Sequence, residues 1–238
     1  RRVLFRSGIY MDIMGNKATA YGFIAAAEKA GLKLFLGSYP ITPATDVLHE
    51  LSKHKSLGVI TVQCEDEISG CATAIGASFA GALAVTTTSG PGVCLKSEAM
   101  NLAVITELPL VVLNVQRGGP STGLPTKSEQ TDLLQALFGR NGESPMPVIA
   151  ATSPTNCFDA AYAACKMALE HMTPVVLLTD GFVANGSGSW KLPNLDTYPE
   201  IKPQYVTPEM KDNYTPYKRN PENQVRYWAI PGQEGYTH

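Results

Sequence analysis

The chain has 238 residues, 44% of them hydrophobic and 17% charged, enough to bury the core of one large domain. Its 19 Lys and Arg are scattered among 21 Asp and Glu, which argues against a nucleic-acid surface. No apolar run reaches the roughly 18 residues of a membrane span and no secretory signal follows Arg1-Arg2, so a cytoplasmic protein with no membrane partner is expected.

The first predicted element is an Ala-rich helix over 16–30, with Gly31 as its C-cap. Short β-branched apolar runs follow at 32–37, 59–63, 82–87, 110–115, 148–151 and 175–179. Several are apolar on both faces, as buried parallel strands are. Between them helices are predicted over 44–54, 66–80, 94–106 and 154–171. The last has Ser153-Pro154 at its start, a cap residue before a first-turn proline. Strand alternating with helix implies an α/β fold, a doubly wound and mostly parallel six-stranded sheet. Ligands of such sheets bind at the carboxyl ends of the strands.

After about Gly188 proline and tyrosine become frequent and periodicity is lost. The chain therefore divides into an N-terminal extension over 1–14, an α/β domain over 15–188 and an irregular arm or linker over 189–238. It begins with Arg rather than Met and reads as part of a longer polypeptide. Five cysteines, Cys64, Cys71, Cys94, Cys157 and Cys165, form no CxxC pair and are expected to be buried, reduced thiols rather than iron–sulfur ligands.

Four segments at expected strand ends carry chemistry, and each has a plainer reading. Glu65-Asp66-Glu67 could simply complement a helix dipole. The helix after it carries small residues at Ser69, Gly70, Ala72, Ala74, Gly76, Ala77, Ala80 and Gly81, smooth enough to press against a backbone or a flat ligand. Thr88-Ser89-Gly90-Pro91-Gly92 offers hydroxyls and amides, or is only a tight connection; it is not a phosphate loop, since no Gly-Lys-Ser/Thr follows. Arg117 opens a Gly/Pro-rich stretch to Thr126, and can either meet a carboxylate bidentately or tie the loop down through backbone carbonyls. Tyr39-Pro40-Ile41-Thr42-Pro43 holds the Thr42 hydroxyl between two prolines, as a preorganised contact or as a helix cap.

Taken together, these four segments resemble, in order and spacing, the α subunit of 2-oxoacid:ferredoxin oxidoreductases, most closely the 2-oxoglutarate type. The resemblance runs from about Gly15 to Gly188, and 215–232 also looks familial. It implies the pyrimidine-type domain of thiamine-diphosphate enzymes. Glu67, matched by its spacing to Gly76 and Gly81, would hydrogen-bond N1′ of the aminopyrimidine and favour the imino tautomer that deprotonates the thiazolium; Glu65 is the competitor. Ser89, Gly90 and Pro91 would adjoin the cofactor, and Thr42 and Arg117 the 2-oxoacid carboxylate or the thiazolium-side intermediate. The implied reaction is oxidative decarboxylation of a 2-oxoacid to its acyl-CoA with reduction of ferredoxin.

The family's metal-binding Gly-Asp-Gly motif is echoed only by Asp180-Gly181, and no iron–sulfur cysteines occur. Mg²⁺ and [4Fe-4S] are expected on a β subunit, with no metal site on this chain. The alternatives are a non-catalytic assembly or regulatory module of the same fold, and an unrelated small-molecule binder.

Overall fold

The computed structural model describes residues 7–236. Its elements are β1 (Tyr10–Met14), α1 (Gly15–Ala30), β2 (Leu34–Ser38), α2 (Thr45–Leu51), β3 (Val59–Gln63), α3 (Glu67–Phe79), β4 (Leu83–Thr88), α4 (Gly90–Ile105), β5 (Leu110–Gln116), α5 (Leu133–Phe138), β6 (Val148–Ala150), α6 (Cys157–His171), β7 (Pro174–Asp180), α7 (Gly181–Asn185) and β8 (Ser187–Lys191). Six strands form one parallel sheet in the order β3-β2-β4-β5-β7-β6, and β1 pairs antiparallel with β8.

The central strands β4, β5 and β7 are buried at every position, as their uniformly apolar runs require. Their side chains alternate between two cores. Leu83, Val85, Val111, Leu113, Val175 and Leu177 face α1, α2 and α6. Ala84, Leu110, Val112, Val176 and Leu178 face α3, α4 and α5. Helix α1 stops where Gly31 turns left-handed (φ 66°) and donates back to Ala27 O and Glu28 O.

Three boundaries differ from expectation. Helix α4 begins at Gly90 rather than 94, because Pro91 in its first turn has the φ a helix needs and no amide to satisfy. Helix α6 begins at Cys157, because the Ser153 hydroxyl accepts the Asn156 N–H and the Asn156 carboxamide accepts from Thr152 N, a side-chain turn that competes with helix. Helix α2 is shorter than 44–54, with Thr45 Oγ1 tied to Ile41.

Residues 1–6 of the expected N-terminal extension lie outside the described residues. Strand β1, in the rest of it, pairs with β8, which crosses the expected boundary at 188. Beyond β8, residues 192–236 contain only 3-10 turns and isolated bridges, yet they pack back on the sheet. Trp190, Ile201, Val225 and the fully buried Trp228 join the larger core, and Trp228 stacks on Tyr205. Arg226 donates to Thr106 O and Tyr217 to Ile105 O, so the arm wraps the end of the sheet where strands begin. Trp228→Ala is expected to cost about 3–5 kcal/mol, measured by denaturant unfolding. No helix among the described residues is long and apolar enough to cross a membrane.

Candidate functional site

The chain order doubles back between β2 and β4: β3 lies outside β2, and β4 lies on its other side. Connections therefore leave the β2 and β4 ends on opposite faces and open a crevice at their carboxyl ends. Two hydrogen bonds bridge that crevice. Ser38 and Thr87 hydroxyls meet at 2.5 Å, and the Tyr39 phenol meets Thr88 Oγ1 at 2.8 Å, all four residues being buried.

Helix α3 brings Glu67 to this point. Asp66 is its N-cap, its carboxylate accepting from Ser69 N at 2.8 Å and Ser69 Oγ at 2.7 Å in a capping box. Those bonds hold the Asp66 carboxyl below the usual range. Only the third acid belongs to α3: Glu65 and Asp66 precede the helix and are exposed, while Glu67, its first residue, is half-buried beside Tyr39. Burial first, then the nearby Glu67 carboxylate, push the Tyr39 phenol well above its ordinary value against the opposing Thr88 bond. Tyr39 is thus a neutral hydroxyl at any working pH. Gly92, in the first turn of α4, fits between: a Cβ there would lie 2.0 Å from Thr88 Oγ1, 2.3 Å from Tyr39 Oη and 3.0 Å from Glu67 Cγ.

Ser89 is the N-cap residue of α4 but makes no side-chain cap bond; its Oγ is buried without a partner among the described residues. Gly90 and Pro91 follow in the first helical turn and form one wall of a cleft of about 760 Å³. Arg117, Gly119–Thr122, Glu129, Asp132 and Gln135 line the rest.

Arg117 is almost wholly buried. Its Nη1 donates to Thr42 O at 2.7 Å and its Nη2 to Thr122 O at 2.8 Å. In this arrangement the guanidinium joins two loops, each with a cis proline (Pro43 and Pro120), and its Nε N–H is left over. The Thr42 side chain is exposed beside it. The expected site residues therefore form two adjoining groups: Glu67 and Ser89 at the β2–β4 crevice, and Arg117 with Thr42 at the cleft, with Gly90-Pro91 between. Arg117→Met is expected to cost about 1–3 kcal/mol, since two carbonyls lose their donor, and to speed amide hydrogen exchange across 117–126.

The long loop is anchored at its far end by residues that sequence reasoning passed over. Gln130 donates to Asp180 Oδ2 at 2.8 Å, Asn114 to Asp132 Oδ2 at 2.9 Å, and Asp132 N to Gln116 Oε1 at 3.0 Å. The other Asp180 oxygen caps α7 through Phe182 N and Val183 N. Both Asp180 carboxylate oxygens are thereby engaged in structural hydrogen bonds. Among the described residues no three His, Cys, Asp or Glu side chains gather as a metal-binding group. All five cysteines are free thiols; Cys71, Cys157 and Cys165 are buried, but Cys64 is half-buried and Cys94 is exposed at the cleft, where it accepts from Gln135 Nε2. Asn114 and Asp132 carried no periodic or motif signal that would have set them apart, and Tyr39 and Thr88 lay within the quoted segments without being singled out as site residues.

Outside the cleft, the α3–α5 side of the sheet exposes an unusual share of large apolar residues. Ile68, Phe79, Leu102, Ile105 and Phe138 are all solvent-facing.

A family profile described as "Pyruvate flavodoxin/ferredoxin oxidoreductase, thiamine diP-bdg" matches residues 25–237. The chain is 56% identical over 231 residues to the 2-oxoglutarate oxidoreductase subunit KorA of Mycobacterium tuberculosis, covering 97% of this chain and 35% of that one. It is 42% identical over 184 residues to the 2-oxoglutarate synthase subunit KorA of Archaeoglobus fulgidus, covering 77% of this chain and 52% of the relative. A solved structure of 2-oxoglutarate:ferredoxin oxidoreductase from Magnetococcus marinus, with 2-oxoglutarate, coenzyme A and succinyl-CoA bound, superimposes with a TM-score of 0.89 at 36% identity, over 96% of this chain and 39% of that one. The chain thus spans between about a third and a half of the length of these relatives.

Proposed function

Because the chain belongs to the pyruvate flavodoxin/ferredoxin oxidoreductase family, in its thiamine-diphosphate-binding part, we propose that it is the α-subunit portion of a 2-oxoglutarate:ferredoxin oxidoreductase. The proposed reaction is oxidative decarboxylation of the 2-oxoacid to its acyl-CoA, with electrons passed to ferredoxin. The observation that carries this reading is the convergence of Glu67, Tyr39 and Thr88 on the β2–β4 crevice, next to the Ser89-Gly90-Pro91 turn.

The residues fit the pyrimidine end of the cofactor. A half-buried carboxylate, a buried hydroxyl without a partner and a side-chain-free helix turn form a flat wall with one proton-sharing group. Thiamine diphosphate, when bound, supplies the nucleophilic carbon for the 2-oxo group. Glu67 would share a proton with the pyrimidine ring of the bound cofactor, and Ser89, Gly90 and Pro91 would flank that ring. The Arg117 guanidinium and the Thr42 hydroxyl border the 2-oxoacid side, where a substrate carboxylate would compete with the two carbonyls now holding Arg117. The diphosphate end, Mg²⁺ and [4Fe-4S] are assigned to a β subunit. The exposed apolar residues of α3, α4 and α5 support such a partner, since a monomer seldom leaves a contiguous face of this kind in water.

The test is reconstitution with the β subunit of the same oxidoreductase, thiamine diphosphate, Mg²⁺ and CoA. The expected result is dye reduction that needs 2-oxoglutarate, CoA and both chains, with pyruvate and branched 2-oxoacids as slower substrates. An assembled, cofactor-loaded complex that reduces no dye with any 2-oxoacid would instead favour the non-catalytic assembly role.

A further inference from the structure

Lys96, in the second turn of α4, has no solvent exposure, and its ammonium makes no ion pair among the described residues. Its Nζ donates to the carbonyl oxygen of Glu67 at 2.8 Å and to Thr86 Oγ1 at 2.9 Å, and stands 5.2 Å from the centroid of the Tyr39 ring. One side chain thus ties together β4, the residue that follows β2 and the first residue of α3. A buried ammonium without a counter-ion is costly, and an apolar residue would fill the same volume without that cost. The position spends this stability at the one place where the backbone of Glu67 is held.

We infer that Lys96 is a positioning residue for Glu67: it fixes the first residue of α3 from beneath and keeps a positive charge close to the carboxylate whose reach it sets. This rests on reading Glu67 as the cofactor-activating residue. The groups facing the ammonium are Tyr39 from the β2 end, Thr86 from β4, Glu67, Asp66 and Cys71 from the α3 region, and Cys64 from the turn after β3. Burial lowers the proton affinity of Lys96, while negative charge on Cys71, Glu67, Cys64 and Asp66 opposes that shift. Its charge is therefore lost at a lower pH than that of an exposed lysine, and the alkaline limb of the turnover profile reports that loss.

In the reconstituted complex, Lys96→Met is expected to lower kcat about tenfold with little change in the KM for 2-oxoacid. It should also remove the alkaline limb expected of wild type, while Lys96→Arg, which keeps its charge at higher pH, moves that limb upward. In a Glu67→Gln background Lys96→Met should add no further loss, because it acts through Glu67. A wild-type kcat and an unchanged alkaline limb in Lys96→Met would overturn the inference, as would losses that multiply in the double variant. If Glu67→Gln itself keeps the wild-type rate, the reading of Glu67 fails. If Glu67→Gln is slow and Lys96→Met is not, only the role of Lys96 fails. Should Lys96→Met not assemble, Lys96→Ala with added ethylamine replaces it: recovery of rate supports the inference, and an assembled variant without recovery overturns it.

Discussion

Glu67→Gln is expected to lower kcat of the reconstituted complex by about 10² to 10⁴-fold, the usual contribution of a positioned proton-transfer group. Gln has nearly the same size, so the packing of the α3 first turn survives. The Lys96 bond to the residue 67 carbonyl survives too, since it engages only the backbone. What is lost is the capacity to share a proton with a ring nitrogen. Unfolding of the variant should therefore match wild type, and cofactor affinity should fall far less than turnover. Glu65→Gln is the control. Glu65 is exposed, outside the capping box, so that variant should keep its rate within a factor of about two. Equal losses in the two variants would mean that the burial argument for residue 67 is wrong.

The second large effect is expected at Gly92. A methyl group there would sit 2.0 Å from Thr88 Oγ1 and 2.3 Å from the Tyr39 phenol oxygen, and both groups are buried in a hydrogen bond with each other. Neither can retreat, so α4 must shift outward or the bond must break. Either change displaces the Glu67 side chain, whose Cγ would lie 3.0 Å from the same methyl group. Gly92→Ala is expected to reduce activity about 10²-fold, the cost of misplacing a reacting group by about 1 Å. It should also destabilise the isolated chain by about 1–3 kcal/mol, the range for overpacking a filled site. Gly76 gives the contrast. It lies inside α3, and a methyl group there would meet nothing within 4 Å, so Gly76→Ala should stabilise the isolated chain by about 0.5–1 kcal/mol through helix propensity. Denaturant unfolding of the two variants, side by side, reads the opposite signs.

That pair shows where sequence reasoning stopped. Gly76 stands inside an expected helix and Gly92 in the turn after an expected strand, but nothing local says which of them has room for a methyl group. Only the approach of Tyr39 and Thr88, whose positions are 49 residues apart in the chain, makes one of them irreplaceable.

The strands were legible because burial on both faces demands unbroken β-branched and aliphatic runs, and the 3.6-residue period between them marks the helices. Strand–helix alternation then leaves few topologies, and it placed Tyr39, Glu67, Ser89 and Arg117 at carboxyl ends, where they are found. The choice of Glu67 over Glu65 within Glu65-Asp66-Glu67 is what the family resemblance implies, through its spacing to the following helix. The tertiary structure decided what each group faces. Arg117 reaches Thr42, 75 residues away, and spends both terminal nitrogens on carbonyls, and Lys96 lies buried under Glu67. It also decided that the irregular arm, read from its prolines and tyrosines as a linker, closes the foot of the sheet with Trp228. Such contacts depend on how far apart in the chain two partners are brought together, and a local pattern carries no record of that distance.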